Sequence, residues 1–72
     1  MLKDRQFKLK TATIGILSVD GHQTLVTVPT GAIIDVVSDT YNDSLVDVLW
    51  EGKHLMMFVQ DVAERGDEIT AG

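Results

Sequence analysis

Apolar and polar positions in this chain fall in short runs separated by turn-forming residues, and most runs alternate with a period of two. Ile14-Gly15-Ile16-Leu17 and Thr24–Val28 flank Asp20-Gly21, which predicts a hairpin with a loop longer than two residues. Pro29-Thr30-Gly31 predicts a turn, since proline presets φ and glycine permits a positive one. It ends one strand and opens the next, Ala32–Val37. From Ser38 to Ser44 the chain is dense in side chains that bond their own backbone, so this stretch reads as a loop. Leu45–Trp50, a tight Glu51-Gly52-Lys53 turn and His54–Phe58 predict a second hairpin. Only Gln60–Arg65 suggests a helical turn, stopped by Gly66, and Ile69 offers a last short strand against the first. The expectation is one all-β domain over residues 1–72. It has five or six short antiparallel strands and one short helical turn near the C-terminus, arranged as a small barrel or curled sheet.

The strand faces predict more than the strand positions do. In Ala32–Val37, Asp35 belongs in water, which sends Ala32, Ile34 and Val36 inward and leaves Ile33 and Val37 outside. Asp47 sorts the next strand in the same way: Val46, Val48 and Trp50 inward, Leu45 and Leu49 outward. In His54–Phe58 one face holds His54, Met56 and Phe58, the other Leu55 and Met57; the aromatic Phe58 is assigned inward. A sheet with one wet face alternates apolar with polar, yet three successive strands are largely apolar on both faces. Their outward residues merge into one patch, and large apolar patches mark interfaces. The expected interface is Ile33, Val37, Leu45, Leu49, Leu55 and Met57.

Size makes that expectation sharper. A domain of 72 residues buries only roughly 60% of its unfolded surface and commonly needs a disulfide, a metal or a partner. The chain has no cysteine and only two histidines, His22 and His54. Self-association, most simply a two-fold dimer, or a protein partner is what remains. The absence of cysteine, of a continuous apolar run near Met1 and of any span of about 18 apolar residues leads to a cytoplasmic, non-membrane expectation.

The net charge of −5 is unevenly spread, with Lys3, Arg5, Lys8 and Lys10 set against Asp4 in the first ten residues. The rest of the chain is strongly acidic and would repel a polyanion, which argues against nucleic acid as a partner. The basic end is expected to be a charged first strand or a frayed terminus. A sharper alternative docks it on an acidic patch of a neighbouring subunit.

No catalytic, cofactor-binding or metal-ligating set is predicted. Ser18, Ser38 and Ser44 lie at strand ends or in a loop, without a glycine-rich elbow. His22 is read as a loop side chain and His54 as a structural one that opens a strand. Asp39–Asp43 is rich in oxygen ligands but lacks the central glycine and final glutamate of a calcium loop.

The run Val28-Pro-Thr-Gly-Ala-Ile-Ile-Asp-Val-Val37 resembles SH3-like small barrels. So does the hairpin Leu45–Phe58 followed by Val59-Gln-Asp-Val-Ala63. The likeness covers about residues 7–70 at the level of fold. The chain lacks the tyrosine-rich strand of peptide-binding SH3 domains and the basic character of translation-type KOW barrels. It is also similar to the plasmid-borne type of dihydrofolate reductase, a short barrel that assembles around a central pore, but the Val-Gln-Ile-Tyr pore motif is absent. The resemblance implies assembly through barrel faces, and with no catalytic set the favoured reading is a non-enzymatic, oligomeric or partner-binding module. The competing implication is a small enzyme whose site forms only between subunits.

Overall fold

A computed structural model of the chain describes residues 4–39 and 44–69. These residues form seven strands and one short helix. In order these are β1 (Gln6–Leu9), β2 (Thr13–Val19), β3 (His22–Val28), β4 (Ile33–Asp39), β5 (Leu45–Trp50), β6 (Lys53–Phe58), α1 (Val59–Arg65) and β7 (Gly66–Ile69). All pairings are antiparallel, in the spatial order β3-β2-β6-β5-β4-β1-β7. The all-β class and the single short helix near the C-terminus stand as the sequence indicates. The strand count is one or two higher, and among the described residues no ladder joins β3 to β7, so the sheet curls without closing.

The curl is visible in the core. Phe7 and Leu9 of β1 pack in one cluster with Val28 of β3, Ile34 and Val36 of β4, and Val46 and Val48 of β5. Backbone bonds from Gly31 N–H to Leu9 C=O and from Leu9 N–H to Ala32 C=O tie the β3–β4 turn to β1. The helix packs against β6, β7 and β1 and contributes the fully buried Val62. It ends on Gly66, whose N–H reaches the Val62 carbonyl. The chain is tight at this point: a Cβ on Gly66 would lie 2.7 Å from that carbonyl oxygen and 3.3 Å from Phe7 Cβ of β1.

Both hairpin turns have two residues. Val19 pairs with His22 around Asp20-Gly21, and Trp50 with Lys53 around Glu51-Gly52. All four turn residues have positive φ, the type I′ geometry that suits the twist of paired strands. The first loop is therefore shorter than expected, and His22 belongs to a strand rather than to a loop. A glutamate in the left-handed region is unfavourable because its Cβ crowds the backbone, whereas asparagine tolerates it. Glu51→Asn should stabilise the fold by about 0.5–1 kcal/mol, raising the thermal midpoint by roughly 3–6 °C in a domain of this size. A thermal melt showing no rise would mean that the turn is relaxed as it stands.

The face assignments of β4 and β5 agree with burial: Ile34, Val36, Val46 and Val48 are interior, and Ile33 is 50% exposed. Strand β6 is the other way round. Leu55 and Met57 are 1% and 0% exposed and belong to the core, while Phe58 is 45% exposed. The reason is register: Val46 lies opposite Met57 and Val48 opposite Leu55, and directly opposed residues share a face. Leu55 and Met57 therefore leave the expected interface, and His54, Met56 and Phe58 take the outer positions.

Two of the basic residues near the start of the chain find partners within it. Arg5 Nη1 lies 3.5 Å from Glu68 Oε1, and Lys10 Nζ lies 3.7 Å from Asp67 Oδ1, so β1 and β7 meet with opposite charges. Such exposed pairs are worth only about 0–1 kcal/mol each. Their larger effect is to fill the acidic β7 edge with local partners.

Candidate functional site

The outer face of the sheet carries an extended apolar surface, and the strand registers say which side chains form it. Leu45 of β5 lies opposite Phe58 of β6, and Met56 opposite Ile16 of β2, which in turn lies opposite Leu25 of β3. Continuing the β2–β6 register by two residues sets Ile14 beside Phe58. Leu45, Phe58, Ile14, Ile16, Met56 and Leu25 thus form one strip across four strands. Leu25 is 69% exposed and Ile14 48%.

One end of the strip deepens into an open groove of about 470 Å³, floored by Ile14, Ile16, Leu25 and Phe58. Its lip is polar. Arg65 Nε sits 3.6 Å from Asp61 Oδ1 along the helix, and Arg65 Nη1 donates to the Ala12 carbonyl at 3.5 Å. The groove offers a partner apolar contact with one fixed ion pair at the rim, where charge contributes orientation more than affinity.

The outward residues named from sequence do not all join this strip. Leu45 does. Leu49 lies opposite Asp35 on one side and His54 on the other, so its surroundings are polar. Ile33 lies opposite Lys8. Val37 is the extra residue of a β-bulge between Val36 and Ser38, half-buried and out of ladder register. Beyond the bulge Ser38 lies opposite Asp47, and its hydroxyl donates to Asp47 Oδ2 at 2.9 Å. That pair interrupts the apolar face between Leu49 and the strip.

Three members of the strip, Ile14, Ile16 and Leu25, are not distinguished by sequence reasoning. The signal was Gly15. A Cβ there would stand 3.0 Å from Leu55 Cδ1 and 3.5 Å from Val28 Cγ2, so the interior at this point is already full. The glycine faces in, and the two isoleucines beside it face out.

The residues considered for chemistry are dispersed. Ser18, His22 and His54 are exposed on strands, and Ser44 precedes β5. Most of the oxygen-rich Asp39–Asp43 stretch, with Tyr41, lies outside the described residues. Among the described residues no three histidine, aspartate or glutamate side chains converge as metal ligands would, and no helix is long and apolar enough to cross a membrane. Comparison with protein-family models, with curated proteins and with solved structures finds no match to this chain.

Proposed function

We propose that this chain is a non-enzymatic, cytoplasmic, SH3-like small barrel that works by assembly. It covers its outer apolar strip with a second copy of itself or with another protein. The carrying observation is the contiguity of Leu45, Phe58, Ile14, Ile16 and Met56 across adjacent strands. Scattered surface hydrophobes are ordinary, but a strip joined by cross-strand contacts and deepened into a groove is the form that interfaces take. The acidic surface elsewhere supports the reading, because it leaves this strip as the place where two like-charged copies meet without repulsion.

Phe58 provides a test that separates assembly from folding. It is the N-cap of α1, with extended backbone and no side-chain cap bond. Aspartate is among the best residues at that position, so Phe58→Asp places a charge in the strip while improving the helix start. The melting temperature should hold, while self-association measured by sedimentation weakens by at least about tenfold, as expected when an interface has to bury an unpaired carboxylate. Unchanged sedimentation of a chain that does associate would clear the strip of any role. A wild-type chain that stays monomeric would remove self-association from the reading.

A further inference from the structure

The two ends of the open sheet are not alike. β7 has four residues, and its Asp67 and Glu68 are engaged by Lys10 and Arg5; short length and charge are how natural sheets guard an edge. β3 is a seven-residue edge strand, His-Gln-Thr-Leu-Val-Thr-Val, without proline and without a lysine, arginine or carboxylate. Among the described residues it pairs with β2 alone. Its support is thin as well. Only Gly15 and Ile16 of β2 ladder to β6, so the distal half of the β2–β3 hairpin is a two-stranded arm, exposed from Ser18 to Leu25. Two-stranded ribbons are marginal in water unless something packs on or beside them.

The type I′ turn fixes which backbone groups point away from β2. It makes Val19 and His22 a hydrogen-bonded pair, and the alternation of an antiparallel ladder then turns His22, Thr24, Val26 and Val28 toward β2. The N–H and C=O groups of Gln23, Leu25 and Thr27 face the open edge.

We propose that this edge takes the β3 strand of a second copy, antiparallel, about a two-fold axis beside Leu25, so that two sheets join into one. The strand is self-complementary in that register. Leu25 meets its own symmetry mate, and Gln23 meets Thr27 of the other copy, each as a hydrogen-bonded pair. Thr24 lies opposite Val26, and His22 opposite Val28. The ladder ends where Gly21 of one copy comes opposite Pro29 of the other, so the whole strand is used and no bond is asked of a proline. A second copy is favoured as the occupant because the parity of the strand pairs every outward N–H and C=O with its own image, and the uncharged strand does not oppose it. The chain carries −5 overall, and β3 is the one edge where two copies align with no like charges opposed. Pairing two β7 edges would oppose carboxylates instead. Because the contact is isologous it closes at two copies rather than growing a filament. The pairing uses the backbone edge of β3 rather than the outer face; the two surfaces share Leu25, and the edge pairing does not depend on what covers the rest of the strip.

Amide hydrogen exchange of the wild-type chain, followed by NMR between about 10 µM and about 1 mM, tests the pairing directly, since a strand-edge contact of this size falls at the weak end of association. The Gln23, Leu25 and Thr27 amides should slow by at least about threefold at the higher concentration, while those of Thr24 and Val26 change far less. Thr27→Pro removes an outward N–H from the edge, which an edge strand tolerates, and touches no member of the strip; it should return sedimentation to the 7.9 kDa monomer and abolish the concentration effect at Gln23 and Leu25. Fast exchange at those three amides in a chain that dimerises overturns the proposal, and so does a chain that remains monomeric at about 1 mM. Phe58→Asp separates the two surfaces. If it abolishes dimerisation and the three amides were never protected, the strip is the interface and the edge is not. If it leaves their protection in place, the edge pairing stands without the strip.

Discussion

Leu55→Ala should destabilise the chain by about 2–5 kcal/mol, whereas Met56→Ala, one residue along, should cost about 0.5–1 kcal/mol. Leu55 is fully buried between β2 and β5, with Val48 opposite it and Gly15 against its side chain. Removing its isopropyl group opens a cavity in a core that draws on five strands and one helix turn, and so has little freedom to collapse. Met56 lies on the outer face beside Ile16 and loses only partial contact. A domain of this length has only several kcal/mol of stability in hand, so Leu55→Ala should be largely unfolded well below the wild-type melting temperature. Urea unfolding of both variants is the measurement. If Met56→Ala were the more damaging, β6 would be turned over and the outer strip with it.

That contrast also shows where sequence reasoning succeeds and where it slips. Asp35 and Asp47 each sit in the middle of a strand, and a carboxylate there has one acceptable face, the one that meets water. The burial of Ile34, Val36, Val46 and Val48 follows from those two residues. Strand β6 has no such marker: His54, Leu55, Met56, Met57 and Phe58 are acceptable either way round. Its facing depends entirely on the length of the preceding turn. A three-residue Glu51-Gly52-Lys53 turn would set Val48 opposite Met56 and Val46 opposite Phe58, which sends the aromatic inward. The two-residue turn sets them opposite Leu55 and Met57. A slip of one residue flips every side chain of a strand, so a small ambiguity at Lys53 inverts two members of the expected interface.

The same logic explains what was legible at the surface. The outward placement of Leu45 came from Asp47 and holds. Leu49 and Ile33 are outward as expected, but the residues opposite them, Asp35, His54 and Lys8, come from other strands, and only the register reveals them. Val37 falls in a bulge, an inserted residue that a period-two pattern has no means of marking. The outer strip belongs partly to β2 and β3, whose facing is set by a glycine that has no side chain to score as apolar or polar. The short helix and the final strand were simpler. Gly66 ends one and begins the other because the helix's own Val62 carbonyl, with the Phe7 side chain of β1 behind it, leaves no room for a Cβ, and the β1–β7 register then brings basic and acidic ends together.

Gly15→Val should lower stability by about 1–3 kcal/mol even though valine is the better strand former, because two effects of unequal size oppose each other. Replacing a strand glycine by a β-branched residue removes backbone entropy from the unfolded chain, a gain of about 1 kcal/mol or less. Against it stands the interior at Gly15. The Cβ alone would approach Leu55 Cδ1 to 3.0 Å, and the two Cγ methyls of valine extend further toward Leu55 and Val28. Leu55 is 1% exposed and Val28 fully buried, so neither has solvent to retreat into. The strain is relieved only by lifting β2 from β6, where Gly15 and Ile16 provide the described ladder between them. That ladder also carries the β2–β3 arm. The variant should therefore lose amide protection at Gly15 and Ile16 before global unfolding, with the melting temperature lowered by roughly 4 °C or more. Gly15→Ala tests the same contact more gently, since one leucine methyl has to yield rather than two side chains. Its cost should be clearly smaller than that of valine. Equal stability of the valine variant and the wild type would mean that the core beneath β2 is not filled, and the outward facing of Ile14 and Ile16 would then lose its cause.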